Sequence, residues 1–149
     1  MSLASRLSRF VSDSLGLEEA DDGRLAVAAL LVHVARVDGR IVEAEKARVT
    51  ELLAARYGLD AADAERLAAR GGALSRGAQL GDLVEALGRA PLEERRWLLA
   101  MAYKVAATDG RVEEFEEDLI WRAGRLLGFD DAAVRAVRAE AIPEASDPR

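Results

Sequence analysis

The 149-residue chain contains no cysteine. Disulfides, thiolate zinc centres, iron–sulfur clusters and cysteine nucleophiles are therefore excluded. A single histidine, His33, removes His-rich metal sites and leaves one imidazole for any Ser-His chemistry. Basic charge is in deficit: 21 Lys and Arg stand against 27 Asp and Glu, a net charge of −6. A protein built mainly to hold nucleic acid needs a basic footprint, so that class is set aside. Long apolar runs are missing too. The longest, Leu25 to Ala35, has 11 residues and is broken by His33, whereas a bilayer span needs about 20. Met1 to Phe10 carries Arg6 and Arg9 with no apolar block behind them. The expectation is no transmembrane segment, no signal peptide and a cytoplasmic protein.

Half of the residues are apolar, enough to build a sizeable core. Alanine occurs 30 times and aromatics make up only 5%, a helix-forming composition. The basic residues are nearly all arginine, 19 against two lysines, which reads as genome composition and not as recognition. Length and mass fit one compact domain.

Punctuation divides the chain into helices. Leu3, Leu7, Phe10 and Leu15 share one helical face ahead of Gly16, and that short, mildly basic start is expected to cover its own core. Asp21 and Asp22 offer an N-cap for a buried helix over Leu25 to Val37, broken by Asp38-Gly39. A third helix runs from about Val42 to Tyr57 with Gly58 as its stop, and Asp60 caps a fourth around Ala61 to Arg70. Gly71, Gly72, Gly77 and Gly81 mark a looser connector holding a short helix with Leu80, Leu83, Val84 and Leu87. Pro91 suits the first position of the next helix, which carries Trp97, Leu98, Met101 and Val105 and stops at Asp109-Gly110. A helix from about Glu113 to Leu127 stops at Gly128, and Asp130 caps the last, around Asp131 to Ala141. No segment alternates with period two over strand length, so the class is all-α. The chain then parses as an N-terminal helix and linker (1–22), a first unit (23–70), a Gly-rich connector (71–90), a second unit (91–142) and a tail (143–149).

Two segments match at an offset of 71 residues: Val34-Ala-Arg-Val-Asp38-Gly39-Arg40-Ile41-Val42-Glu43-Ala44-Glu45 and Val105-Ala-Ala-Thr-Asp109-Gly110-Arg111-Val112-Glu113-Glu114-Phe115-Glu116. Each follows a buried helix and opens an amphipathic one, as a duplicated helix–loop–helix does. Such units are expected to pack about a pseudo-twofold axis.

The common core, Asp-Gly-x-(Ile/Val)-x-x-x-Glu, coincides with the second half of an EF-hand calcium loop. The first half is absent, because Val34 and Arg36, or Val105 and Ala107, stand where acids belong. Each loop supplies few carboxylates, fewer than tight calcium binding needs. Magnesium is less demanding, and two half-sites can pool ligands. The set Asp38, Glu45, Asp109 and Glu116 does not choose among calcium, magnesium, manganese and zinc. Helical phase places Glu45 with Val49 and Leu52, and Glu116 with Ile120, Ala123 and Leu127, so both glutamates head an apolar stripe. Glu43 and Glu114 lie about 200° round the helix and face water. Glu113 and Glu117 add charge to the second copy.

A plainer account is available. Asp-Gly is an ordinary helix stop, acids in a first turn favour the helix dipole, and Arg48 stands three residues after Glu45 as a salt-bridge partner. Glu116 has only Leu119 and Ile120 at those spacings. His33 corresponds to Lys104; it is either a counter-charge or pH sensor near the acids or, as preferred, a half-buried helix residue. Lys104 can alternatively pair with Asp109 in place of a metal. Trp97, Tyr103 and Trp121 read as core, with an aromatic binding surface as the weaker alternative.

The paired motif, with each copy after a buried helix, resembles the tellurite-resistance protein B (TerB) family over about Leu25 to Ala141. The resemblance implies an all-α TerB-like bundle of about seven to eight helices with an acidic, metal-binding cluster. It also implies a link to tellurite resistance and general stress response, often with membrane-associated partners. A related domain forms the N-terminal part of a membrane-anchored DnaJ-type co-chaperone, so a peripheral position at the inner membrane fits the same expectation.

Three functions follow in order. The first is a non-enzymatic module that binds a divalent cation through Asp38, Glu45, Asp109 and Glu116 and adjusts a partner-binding surface. The second is a metal-independent adaptor whose acidic face meets a basic partner, with salt-sensitive association. The third, a metal-assisted hydrolase, lacks a nucleophile motif, a phosphate loop or a cofactor fingerprint.

Overall fold

A computed structural model describes residues 19–37, 40–108, 110 and 112–143. The expected helix over Leu3 to Leu15 and the tail beyond Pro143 lie outside the described residues. Seven helices are described: α1 (Glu19–Ala35), α2 (Glu43–Tyr57), α3 (Ala61–Arg76), α4 (Leu80–Leu87), α5 (Leu92–Ala106), α6 (Glu114–Leu126) and α7 (Asp131–Ala141). The all-α expectation holds, with one addition. Arg36–Val37 (β1) pairs antiparallel with Arg40–Ile41 (β2), Arg36 opposite Ile41 and Val37 opposite Arg40. Two residues per strand give no periodicity to read.

α1 is the axis of the bundle. From Leu25 to Ala35 every residue except His33 is buried, as a helix apolar on all sides must be. It packs most extensively on α3, and also on α2, α4 and α5. α5 supplies the second layer through Leu98, Leu99, Ala102, Tyr103, Val105 and Ala106, all buried, and packs on α7, α1, α2 and α6.

Several boundaries differ from the sequence reading. α1 begins at Glu19, so Asp21 and Asp22 lie within the helix and not ahead of it. α1 also ends at Ala35, because Arg36 and Val37 turn into the hairpin. Pro91 precedes the first helical residue, and its carbonyl accepts the Arg95 N–H at 3.0 Å. α5 stops at Ala106, before Asp109-Gly110; the Thr108 hydroxyl closes that end on the carbonyls of Lys104 and Val105. The largest difference is α3, which runs on through Gly71 and Gly72 to Arg76. A Cβ on Gly71 would stand 2.7 Å from the Ala28 carbonyl carbon, so the glycine serves a close helix crossing and not a loose connector.

Other signals act as read. Gly58 and Gly128 have positive φ at the ends of α2 and α6. The Asp60 carboxylate accepts the Asp63 N–H at 2.8 Å, and Asp130 accepts the Ala133 N–H at 2.9 Å. Asp60→Ala and Asp130→Ala are each expected to cost about 1 kcal/mol, and to add when combined, because the sites cap different helices. Urea unfolding of the two single variants and the double variant checks this; loss of stability in neither would mean the caps contribute nothing.

Candidate functional site

The first corner joins α1 to α2. The β1–β2 pair closes it, and the Val42 N–H donates to the Ala35 carbonyl at 3.2 Å. Arg36 holds the corner to α3: its guanidinium donates to Ser75 Oγ at 2.6 Å and to the Gly72 carbonyl at 3.3 Å. Arg36, which takes the place of an acid in the loop comparison, thus has a structural task. Asp38 lies outside the described residues. Glu45, in the first turn of α2, is 3% exposed, while Glu43 faces solvent.

The second corner joins α5 to α6. The Gly110 N–H donates to the Ala107 carbonyl at 2.9 Å, and Gly110 has φ 102°, a conformation that only glycine adopts without strain. Asp109 lies outside the described residues. Glu116 is fully buried, while Glu114 and Phe115 are exposed. Glu113 and Glu116 form a reciprocal capping box: the Glu113 side chain accepts the Glu116 N–H, and Glu116 Oε1 accepts the Glu113 N–H at 3.2 Å. In the first corner the matching position is Val42, which has no side chain able to cap. Both inward phases expected for Glu45 and Glu116 are therefore observed, and the second copy gives its glutamate a backbone partner.

The two glutamates sit on helices that share α1 and α5 as neighbours and differ in the others. α2 packs on α1, α3 and α5, and α6 packs on α4, α5, α7 and α1. Among the described residues no group of three Asp, Glu or His side chains converges as a metal cluster.

Arg48 pairs with Glu51, one turn further along α2. Burial first, and then the Arg36 charge, hold His33 below the ordinary histidine range. It is half-buried, and its Nδ1 makes no hydrogen bond among the described residues. Its half-burial matches the reading preferred from the sequence. Tyr103 is fully buried, and Trp97 and Trp121 are partly buried against the core beneath Arg56 and Arg135.

A groove of about 770 Å³ opens between the first turns of α2, the second corner and the end of α7. Its charged lining is Arg48, Glu51, Lys104 and Arg138, and it includes neither Glu45 nor Glu116. Arg138 holds Glu117 with two bonds of 2.8 and 2.9 Å and lies over the Tyr103 ring. The Glu117–Arg138 bond was not legible in the sequence, because it joins α6 to α7 across 21 residues outside any helical spacing.

These features define a class: an all-α module in which two corners, each following a buried helix, open on a helix with an inward glutamate in its first turn. The particular family follows from comparison. The family model described as tellurite resistance protein TerB matches residues 24–139, and the chain belongs to that family. No curated protein and no solved structure matches it. No helix among the described residues is long and apolar enough to cross a membrane.

Proposed function

We propose that the chain is a non-enzymatic helical module that binds a divalent cation at its paired Asp-Gly corners. Asp38 and Glu45 serve one corner, and Asp109 and Glu116 the other. The module engages protein partners in tellurite or stress response, in the cytoplasm or peripherally at the inner membrane. The observation that carries this reading is the burial of Glu45 and Glu116, at 3% and 0% exposure, at matching positions. Ser75 and the hydroxyl-bearing Tyr103 are the other buried residues with a polar side-chain group among the described ones. The hard oxygens of the two carboxylates suit magnesium, calcium or manganese better than thiophilic ions. Bound there, the cation would supply charge neutralisation and tie each loop to its following helix. The groove, which excludes both glutamates, gives the hydrolase reading no support.

A metal-independent adaptor is the second reading. The capping box of Glu113 and Glu116 favours it, because it gives one of the buried acids a role without any ion.

The test is titration of chelator-stripped protein with calcium, magnesium, manganese and zinc, followed by calorimetry and by the Trp121 fluorescence behind Glu116. Saturable binding is expected with at least one ion, and it should disappear in the Asp38→Asn, Asp109→Asn double variant. At a hundredfold excess over Kd the ion should add about 2.7 kcal/mol of stability. Absence of heat and of any thermal shift at millimolar ion would falsify the metal reading and leave the adaptor.

A further inference from the structure

We infer that the exposed stripe of α6 formed by Phe115, Asp118, Arg122 and Leu126 is the contact of a twofold homodimer, in which α6 packs antiparallel on α6 of a second copy of the chain. This goes beyond the function proposed above and needs neither the ion nor the groove.

Three large apolar side chains are more than half exposed among the described residues: Leu92 at 59%, Phe115 at 56% and Leu126 at 54%. A single exposed apolar residue needs no explanation. Two of these, however, bracket one face of α6. Leu126 follows Phe115 by 11 residues, which is three helical turns to within about 20° and about 16 Å along the axis. Asp118 and Arg122 fall between them on the same face, and both are exposed. Their spacing of four allows an ion pair within the helix, yet neither makes one among the described residues. Arg125, beside the stripe, is already held by Asp131, which leaves Asp118 and Arg122 as the unpaired charges of the stripe itself.

A twofold interface needs a patch that complements itself. Read from either end, this stripe runs apolar, charged, charged, apolar, with charges of opposite sign. A twofold axis beside Ile120 and Trp121 sets Phe115 against the partner's Leu126 and Asp118 against the partner's Arg122, and each contact recurs in reverse. A parallel pair would set like charges opposite each other, which is costly, so the direction is fixed. Each copy carries a net charge of −6, but charges remote from the contact are screened beyond about 8 Å at physiological salt. One helix pair falls short of the roughly 800 Å² per partner of a standard interface, so the dimer is weak and depends on concentration.

Sedimentation velocity of the full chain in excess chelator should show monomer at micromolar and dimer at millimolar protein. Asp118→Arg and Arg122→Asp each set like charges opposite one another and should weaken dimerisation at least tenfold. An equimolar mixture of these two single variants regains opposite signs at both pairs and should dimerise at the parent's concentrations. The double variant carrying both substitutions should do the same. Phe115→Ser removes the apolar end and should also weaken the dimer. All of these positions are exposed, and circular dichroism should show unchanged helix content. A parent chain that stays monomeric at millimolar protein, single variants that dimerise as the parent does, or a mixture that stays monomeric overturns the proposal. Rescue by mixing cannot come from a folding change, and the chelator keeps failure here separate from failure of the metal titration.

Discussion

Gly71→Ala is expected to destabilise the protein by about 2–3 kcal/mol, although alanine is the better helix former by about 1 kcal/mol. The new Cβ would lie 2.7 Å from the Ala28 carbonyl carbon, 2.8 Å from the Ala28 Cβ and 2.8 Å from the Ala29 nitrogen. Two of those atoms are backbone, so relief requires α1 and α3 to separate along their most extensive contact. Packed interiors yield little to such a change. In a domain of this size the loss corresponds to a fall in Tm of about 5–10 °C. Two companion substitutions separate the crossing from helix propensity. Gly23, inside α1, has no atom within 4 Å of its would-be Cβ, and Gly23→Ala should stabilise by up to about 1 kcal/mol. Gly124 would meet Val134 Cγ2 at 2.9 Å and the Leu99 methyls at 3.3 Å, side-chain tips that can move, so its substitution should fall between the two. Thermal unfolding of the three variants checks the order. A Gly71→Ala protein as stable as the parent would mean that α1 and α3 do not cross this closely.

The same glycine marks where sequence reasoning reaches its limit. Gly71-Gly72 reads as a break because local propensity counts glycine against a helix, yet here the neighbouring helix sets the requirement. Propensity is local and close approach is not. What was legible depended on short spacings. Asp60 and Asp130 cap residues three positions on, and Glu45 and Glu116 head apolar stripes whose phase is fixed by 3.6 residues per turn. Asp21 and Asp22 misled for the opposite reason: an acid fits both an N-cap and a first turn, and composition does not separate them. The hairpin of Arg36–Val37 with Arg40–Ile41 is too short to show alternation, and Glu117 with Arg138 joins two helices with no register between them. The groove arises from the meeting of three elements distant in sequence, so Lys104 was visible only as the counterpart of His33 and a partner for Asp109, not as part of a groove. The inward placement of Glu45 and Glu116 was thus found from repetition and phase, whereas the surface beside them needed the packing.

Alkaline pH should weaken the fold through Tyr103, by about 2–3 kcal/mol between pH 10 and 12. Tyr103 is fully buried on α5, and its hydroxyl makes no hydrogen bond among the described residues. Burial first, then the Glu117 carboxylate, push its pKa up to about 12, against a smaller opposing pull from Arg138. An unfolded tyrosine titrates near 10. As pH rises through 10, the unfolded chain releases this proton while the folded chain keeps it. The unfolded state then binds fewer protons, so stability falls with pH until the folded group also ionises. The contribution is fully present below pH 10 and lost by about pH 12. Tyr57 is driven the same way, to about 12, by burial and then Glu94, but it is only partly buried and contributes less. Tyr103→Phe isolates the main effect. Near pH 7 that variant should match or slightly exceed the parent, because the phenylalanine removes a buried hydroxyl with no hydrogen bond. Between pH 10 and 12 its urea midpoint should fall much less steeply than the parent's. Parallel pH profiles for the two proteins would show that the Tyr103 hydroxyl is solvated, and with it the cleft wall where Arg138 spans α6, α7 and the groove.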